Sequence, residues 1–269
     1  MCTIIILKNV HPEYPVVIAA NRDEYLARRT TNVTLLNKSP RTVGGRDEKS
    51  GGTWMGANEY GIFASVTNQR TFSSADSTKA SRGDIPFEIL KMRMIENARA
   101  YVEALDPSKY NPFNLIFGNQ KEMWVAYAHP GVNKMALEPV PDGVHVLPND
   151  VLDSPAFSKV VRAVDLLGTT LDVPFPVLMK RLVHVLGNHE TPPFEHVPMP
   201  PNNNILTRAV AQQLDAICIH TPTYGTRSAT VIALDNEGVA EYRYANGPTC
   251  RTDFVDVRNL LDSPSEPPP

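Results

Sequence analysis

Met1-Cys2-Thr3-Ile4-Ile5-Ile6-Leu7 opens the chain, and after His11-Pro12-Glu13-Tyr14-Pro15 comes Val16-Val17-Ile18-Ala19-Ala20-Asn21-Arg22-Asp23-Glu24. The runs 3–7 and 16–20 are short, apolar and rich in β-branched residues, and the segment between them carries two prolines, so they predict a hairpin of buried strands. Cys2 stands at the start of that hairpin. If Met1 is trimmed, as a small second residue permits, a thiol and a free α-amine share one residue, with ordinary pKa values of about 8.5 and about 8. A nucleophile and its base are then the same residue. A small thiol beginning a strand is also ordinary packing.

Working outward, 51–57 and 61–67 flank Asn58-Glu59-Tyr60 and predict a second hairpin. The spacing of Phe87, Leu90, Met94, Ala98, Tyr101 and Leu105, with Pro86 near the start, predicts one long helix over 85–105. Strands are expected at 114–118, 123–128 and 144–147, and helices at 158–167, 176–186 and 207–217. A closing hairpin is expected from 229–234 and 239–244, around Asp235-Asn236-Glu237-Gly238. Strands, then helices, then strands joined by hairpins give an α+β fold of antiparallel sheets covered by helices. The expected organisation is one domain over 1–261 and a disordered, Pro-rich tail over 262–269.

Composition narrows the partners. The chain has 269 residues and a net charge of −3 with both signs interspersed, which gives no electrostatic footprint for nucleic acid or an anionic membrane. Cys2, Cys218 and Cys250 are odd in number and widely spaced, so a reducing compartment, the cytoplasm, is expected rather than a disulfide framework. No integral membrane segment is expected, because the apolar run 3–7 is far too short to span a bilayer. The abundance of aliphatic residues suits an apolar substrate. Oligomeric state is not readable.

Several residue groups can carry chemistry. Asp23, on polar residues expected to follow the second strand, can accept a hydrogen bond from the Cys2 amine or thiol, and Arg22 can hold Asp23 or a substrate carboxylate. Both also read as a surface ion pair. Asn68 and Asn149 each follow a short apolar run, where an asparagine can aim its amide at a developing oxyanion or simply make a turn. Arg227, before the last hairpin, can face a cleft or pair at the surface. Trp54 can edge a pocket or fill the core. His184, His189 and His196 with Glu190, and separately Cys218-Ile219-His220, lack recognised ligand spacing, so neither a metal nor a cofactor is expected.

Taken together, Met1-Cys2-Thr3, Ala19-Ala20-Asn21-Arg22-Asp23-Glu24, Gly51-Gly52-Thr53-Trp54, and the stretches 58–68, 149–155 and 224–228 resemble the NRDE proteins, the transport and Golgi organisation family two. The resemblance extends from residue 2 to about Tyr244. It implies the N-terminal nucleophile hydrolase-like fold, a four-layer αββα sandwich of two antiparallel sheets. A more distant similarity links the chain to bile salt hydrolase and penicillin V acylase. By that similarity Cys2 matches the nucleophile, Asp23 the aspartate near its amine, Asn68 one oxyanion-hole asparagine and Asn149 the second. Those acylases carry an arginine three residues before the aspartate, where this chain has Ala20. Arg22 and Arg227 are the alternatives for that charge.

The resemblance therefore implies an amidohydrolase that cleaves a linear amide or ester through a Cys2 thioester, with Asn21, Arg22, Trp54 and Arg227 against the substrate. The alternative is a non-enzymatic binding or trafficking protein for a hydrophobic ligand such as haem or an acyl lipid.

Overall fold

The structure is a computed structural model that describes residues 2–71, 74–129, 131–198, 200 and 206–262. Most of the expected tail, residues 263–269, lies outside the described residues. In chain order the strands are β1 (Thr3–Lys8), β2 (Val16–Tyr25), β3 (Thr34–Lys38), β4 (Arg41–Gly44), β5 (Met55–Asn58), β6 (Phe63–Asn68), β7 (Phe113–Gly118), β8 (Met123–Ala128), β9 (Ala136–Pro139), β10 (Gly143–Leu147), β11 (Tyr224–Leu234), β12 (Val239–Ala245) and β13 (Val255–Asp256). The α-helices are α1 (Asp84–Ile89), α2 (Ile95–Glu103), α3 (Ser158–Leu167), α4 (Phe175–Leu186) and α5 (Arg208–Gln213). None is long and apolar enough to cross a membrane among the described residues.

The strands form two antiparallel sheets. One has the order β10-β1-β2-β11-β12-β13 and the other runs β3 to β9 in sequence. Successive side chains of a strand point to opposite faces, and β1 shows what this does here. Ile4 and Ile6 enter a core shared with Val43, Phe63, Ile116 and Val125 of the second sheet. Ile5 and Leu7 face the other way, against Val160, Leu178 and Leu182 of α3 and α4. A strand covered on both faces must be apolar at every position, which is why β1 reads as an unbroken run rather than an alternation. The far face of the second sheet buries Ile62, Leu115 and Phe117 against Ile85, Ile89 and Ala98 of α1 and α2. The layers are α, β, β, α, the sandwich expected from the resemblance.

Both expected hairpins at the start form, with Thr3 opposite Asn21 and Met55 opposite Ser65. The single helix expected over 85–105 does not: it is two helices, interrupted at 90–94. The side chain of Asn58 accounts for the break. Its Nδ2 donates to the carbonyls of Leu90 (3.0 Å) and Met92 (2.7 Å), and its Oδ1 accepts from the backbone N–H groups of Tyr60 and Ile62. Thr42 Oγ1 also donates to the Leu90 carbonyl at 2.9 Å. With those carbonyls taken by β4 and β5, apolar spacing alone cannot carry the helix through.

The polar segment at 21–24 also differs from expectation. It is the end of β2 rather than a loop, because β11 is longer than the run 229–234 and pairs Tyr224 to Ser228 with Tyr25 to Arg22. β3, β4, β9 and β13 were not expected. They are short edge or connecting strands, with half of their positions or more at least partly exposed in β3, β9 and β13, and so they lack an apolar signature.

Asn58 is fully buried and satisfies four backbone groups at once. Asn58→Ala is expected to cost about 2–4 kcal/mol, since it strands buried polar groups. Equilibrium denaturation in urea measures this, and a loss under about 0.5 kcal/mol, the surface-substitution level, contradicts the account of the helix break.

Candidate active site

β2 runs several residues beyond its pairing with β1, which begins at Thr3 opposite Asn21. Cys2 therefore sits where β1 stops and the polar end of β2 continues. It is half-buried and lines a cleft of ≈ 290 Å³ together with Arg22, Asp23, Trp54 and Asn68. These residues come from β1's leading edge, β2, the segment before β5 and the end of β6, so both sheets contribute. Five of the eight residues expected at the site share the cleft.

Asp23 is the most constrained of them. It is 3% exposed. Its Oδ1 accepts from Thr226 Oγ1 at 2.6 Å, the same hydroxyl oxygen accepts from the Ile219 N–H at 2.9 Å, and Tyr224 Oη donates to the Asp23 carbonyl at 2.6 Å. Burial pushes the Asp23 carboxyl above its ordinary range, while Lys159, the Thr226 hydroxyl and Arg22 oppose the shift. Burial likewise pushes the Cys2 thiol up. The Asp23 charge acts in the same direction, and the Asp23 backbone and the Arg22 guanidinium pull the thiol down.

Lys159 was missed. It lies on α3, is 0% exposed, and donates to the Leu214 carbonyl at 3.4 Å. Burial lowers its pKa, and the Asp23 and Asp215 carboxylates raise it. Its signal was available: Lys159 shares one helical face with Ala163 and Leu167, both buried, and a lysine in an apolar stripe needs a partner.

The two candidate arginines are placed differently. Arg22 is 6% exposed, lines the cleft, and stacks its guanidinium over the Trp54 ring at 4.2 Å. A Cβ at Gly45 would come within 2.1 Å of the same ring, so Trp54 packs directly against the Gly45 backbone. Burial lowers the Arg22 pKa, against the pull of Cys2 and Glu24. Arg227 is not in the cleft: it donates to the Leu26 carbonyl at 2.6 Å.

Asn21 and Asn149 are not among the residues that line this cleft. The buried Asn21 amide donates to the carbonyls of Leu186 (2.7 Å) and Ile217 (2.9 Å) and accepts from Thr249 Oγ1 (2.9 Å), so it clamps loops. Asn149 stands one step back. Its Nδ2 donates to the Asn68 carbonyl at 2.7 Å, which fixes the exposed Asn68 in the cleft wall.

The cleft is charged rather than apolar. Arg22, Arg28, Lys49, Lys79 and Arg82 line it together with Asp23, Glu24 and Asp47, and Arg28 is already paired with Asp47 at 2.6 Å. Next to it, sharing Glu24 and Asn68, lies a groove of ≈ 510 Å³ with Leu206, Val210, Leu214 and Tyr224 in its wall. A thiol, a buried carboxylate, a guanidinium and an exposed carboxamide around one cavity can together attack a carbonyl and hold the resulting charge.

Comparison with known proteins agrees with the architecture. A transport and Golgi organization protein 2 homolog from Bos taurus is 27% identical over 238 residues, covering 84% of each chain. Among solved structures, an N-acylethanolamine-hydrolyzing acid amidase ortholog from Caenorhabditis elegans aligns with a TM-score of 0.53 at 14% identity, over 86% of this chain and 92% of that one. A mutant of conjugated bile acid hydrolase from Clostridium perfringens aligns with a TM-score of 0.51 at 10% identity, over 98% and 95%. These likenesses show the N-terminal nucleophile hydrolase fold. The family model for transport and Golgi organisation 2 matches residues 1–245, and the chain belongs to that family.

Proposed function

We propose that this protein is a cysteine amidohydrolase acting on a linear amide, or an ester, that carries an anionic group. The observation that carries the reading is the convergence of Cys2, Asp23, Arg22 and Asn68 on one cleft. With Met1 excised, the Cys2 α-amine takes the thiol proton and the thiolate attacks the carbonyl carbon. Asn68 donates to the oxyanion, and collapse of the adduct sends the proton to the departing amine and leaves a Cys2 thioester. Water, deprotonated by the same amine, then releases the acid and restores the thiol.

Asp23 supports this by sitting beside the chain start in a fixed rotamer, held by Thr226. Lys159 is a positioning residue whose charge favours the Asp23 carboxylate. The excess of basic over acidic groups in the cleft favours a substrate carboxylate or comparable anion, and the neighbouring apolar groove suits an acyl chain. A reduced thiol is required, so the cytoplasm is a compatible setting. That groove equally supports the second reading, a carrier of a hydrophobic ligand such as haem or an acyl lipid, which has no need of a free Cys2 amine.

Intact mass of protein from its native host is expected to lack Met1, and Cys2→Ala is expected to lose turnover of an N-acyl amino acid panel. Uniform retention of Met1, or undiminished turnover in Cys2→Ala, rejects the mechanism. Asn68→Ala is expected to lower kcat about 10²-fold or more with little change in KM, as for loss of one oxyanion donor. Steady-state kinetics on the same substrate reads the split.

Asp23 gives a prediction of opposite sign for stability and activity. Its folded-state pKa is raised by burial, so the associated stability is complete below the unfolded-state pKa and is lost as pH rises through the folded-state value. At neutral pH the carboxylate costs stability. Asp23→Asn is therefore expected to unfold at the same or a higher temperature while hydrolysis falls about 10²-fold or more. A thermal melt and a rate on one preparation test it, and a large loss of stability at neutral pH counts against this role.

A further inference from the structure

His189, Cys218, His220 and Cys250 each offer a donor atom, and all four atoms lie within 4.8 Å of one another. They come from three separate places in the chain: the segment after α4, the segment before β11, and the loop after β12. We propose that they form a structural zinc site.

The separations among Cys218, Cys250 and His220 are close to those of a tetrahedral shell. With Zn–S bonds of about 2.3 Å and Zn–N bonds of about 2.05 Å, tetrahedral angles require S···S of about 3.8 Å and S···N of about 3.6 Å. The two sulfurs, Cys218 Sγ and Cys250 Sγ, are 3.9 Å apart, and His220 Nε2 lies 3.8 Å from the first and 3.2 Å from the second. The His189 and His220 rings approach to 5.0 Å between centroids, close enough for both to reach the same ion.

A second feature points to a metal. His189 Nδ1 lies 3.0 Å from the Cys218 carbonyl oxygen. A carbonyl only accepts, so Nδ1 carries the proton and Nε2 is the nitrogen left with a lone pair for an ion. Fixing a ligand histidine's tautomer through a backbone carbonyl is a recurrent arrangement around metals. Two thiols and two imidazoles match the Cys₂His₂ donor set of structural zinc, which occupies all four positions and leaves none for a substrate. Cys218 is buried while His189, His220 and Cys250 are exposed, so an ion has a path in. Binding displaces the protons of both thiols to solvent and changes no oxidation state.

The surrounding bonds say what the ion would hold. Cys218 N–H donates to the Asn188 carbonyl at 2.8 Å, tying two ligand segments together. Asn21 bonds Ile217, next to Cys218, and Thr249, next to Cys250. Zinc would close this set of loops covalently on the same side of β2 that carries Asp23. The site stands whether or not Cys2 is a nucleophile.

The test uses the full-length, reduced protein, stripped with a chelator and titrated anaerobically with cobalt(II), then with zinc. One cobalt per chain is expected, with the visible bands of tetrahedral cobalt and a near-ultraviolet thiolate charge-transfer band, both lost on adding zinc. Zinc is expected to raise the unfolding temperature. Because exposed ligands can be changed with little risk to the fold, Cys250→Ser and His189→Ala are the diagnostic variants. Each is expected to lower zinc affinity about 10²-fold or more, while Cys2→Ala leaves it unchanged. Failure to bind cobalt stoichiometrically, octahedral spectra without the thiolate band, or wild-type affinity in both exposed variants overturns the proposal. So does a Cys218–Cys250 disulfide that persists under reducing conditions.

Discussion

A carboxylate buried at the end of β2 organises everything near the start of this chain. Asp23 has lost almost all its water, and a buried charge is tolerated only where hydrogen bonds and opposite charge replace the hydration. Thr226 Oγ1 supplies the direct bond, and Lys159 and Arg22 supply the opposing charge. Each of those groups needs its own support. Thr226 is braced by the Ile219 N–H, Lys159 by the Leu214 carbonyl, and Arg22 by the Trp54 ring. The result is a chain of dependencies that reaches from β2 through β11 and α3 to the segment joining α5 to β11.

The parts of this arrangement readable in sequence are those that obey short-range periodicity. β1, β2 and the hairpin of β5 with β6 declare themselves by apolar runs and turns, and the apolar spacing over 158–167 coincides with α3. The polar end of β2 was hidden because its side chains are satisfied by residues about two hundred positions away, which local hydrophobicity cannot register. The split between α1 and α2 was hidden for the same reason: Asn58 reaches across 32 residues to take a helix carbonyl. Asn21 and Arg22 are adjacent and similarly polar, yet one clamps loops and the other lines the cleft.

The histidines and cysteines repeat this lesson at longer range. Grouping by proximity in sequence puts His189 with His184 and His196, but only His189 joins the cluster. His184 lies on α4 and His196 in a short 3₁₀ turn. Cys250, the most distant member, has no local signal at all. Asn21 draws the segments that bear Cys218 and Cys250 together from β2.

The choice between the two arginines turns on one irregularity in β11. Opposite β2, Thr226 pairs with Asp23 and Ser228 with Arg22, so Arg227 is the extra residue of a β-bulge. Regular pairing would place residue 227 opposite Arg22 and put two guanidinium groups at neighbouring positions beside one cleft. The bulge removes Arg227 to the Leu26 carbonyl and keeps Thr226 in register with the carboxylate. It therefore does two jobs with one inserted residue: it delivers the hydroxyl that Asp23 needs, and of the two candidate arginines it leaves Arg22 lining the cleft with Cys2. Bulges recur beside functional sites because they re-aim side chains without breaking the sheet. Here that re-aiming leaves Arg22, two residues beyond Ala20 on the same strand, as the arginine of this pair that lines the cleft with the thiol.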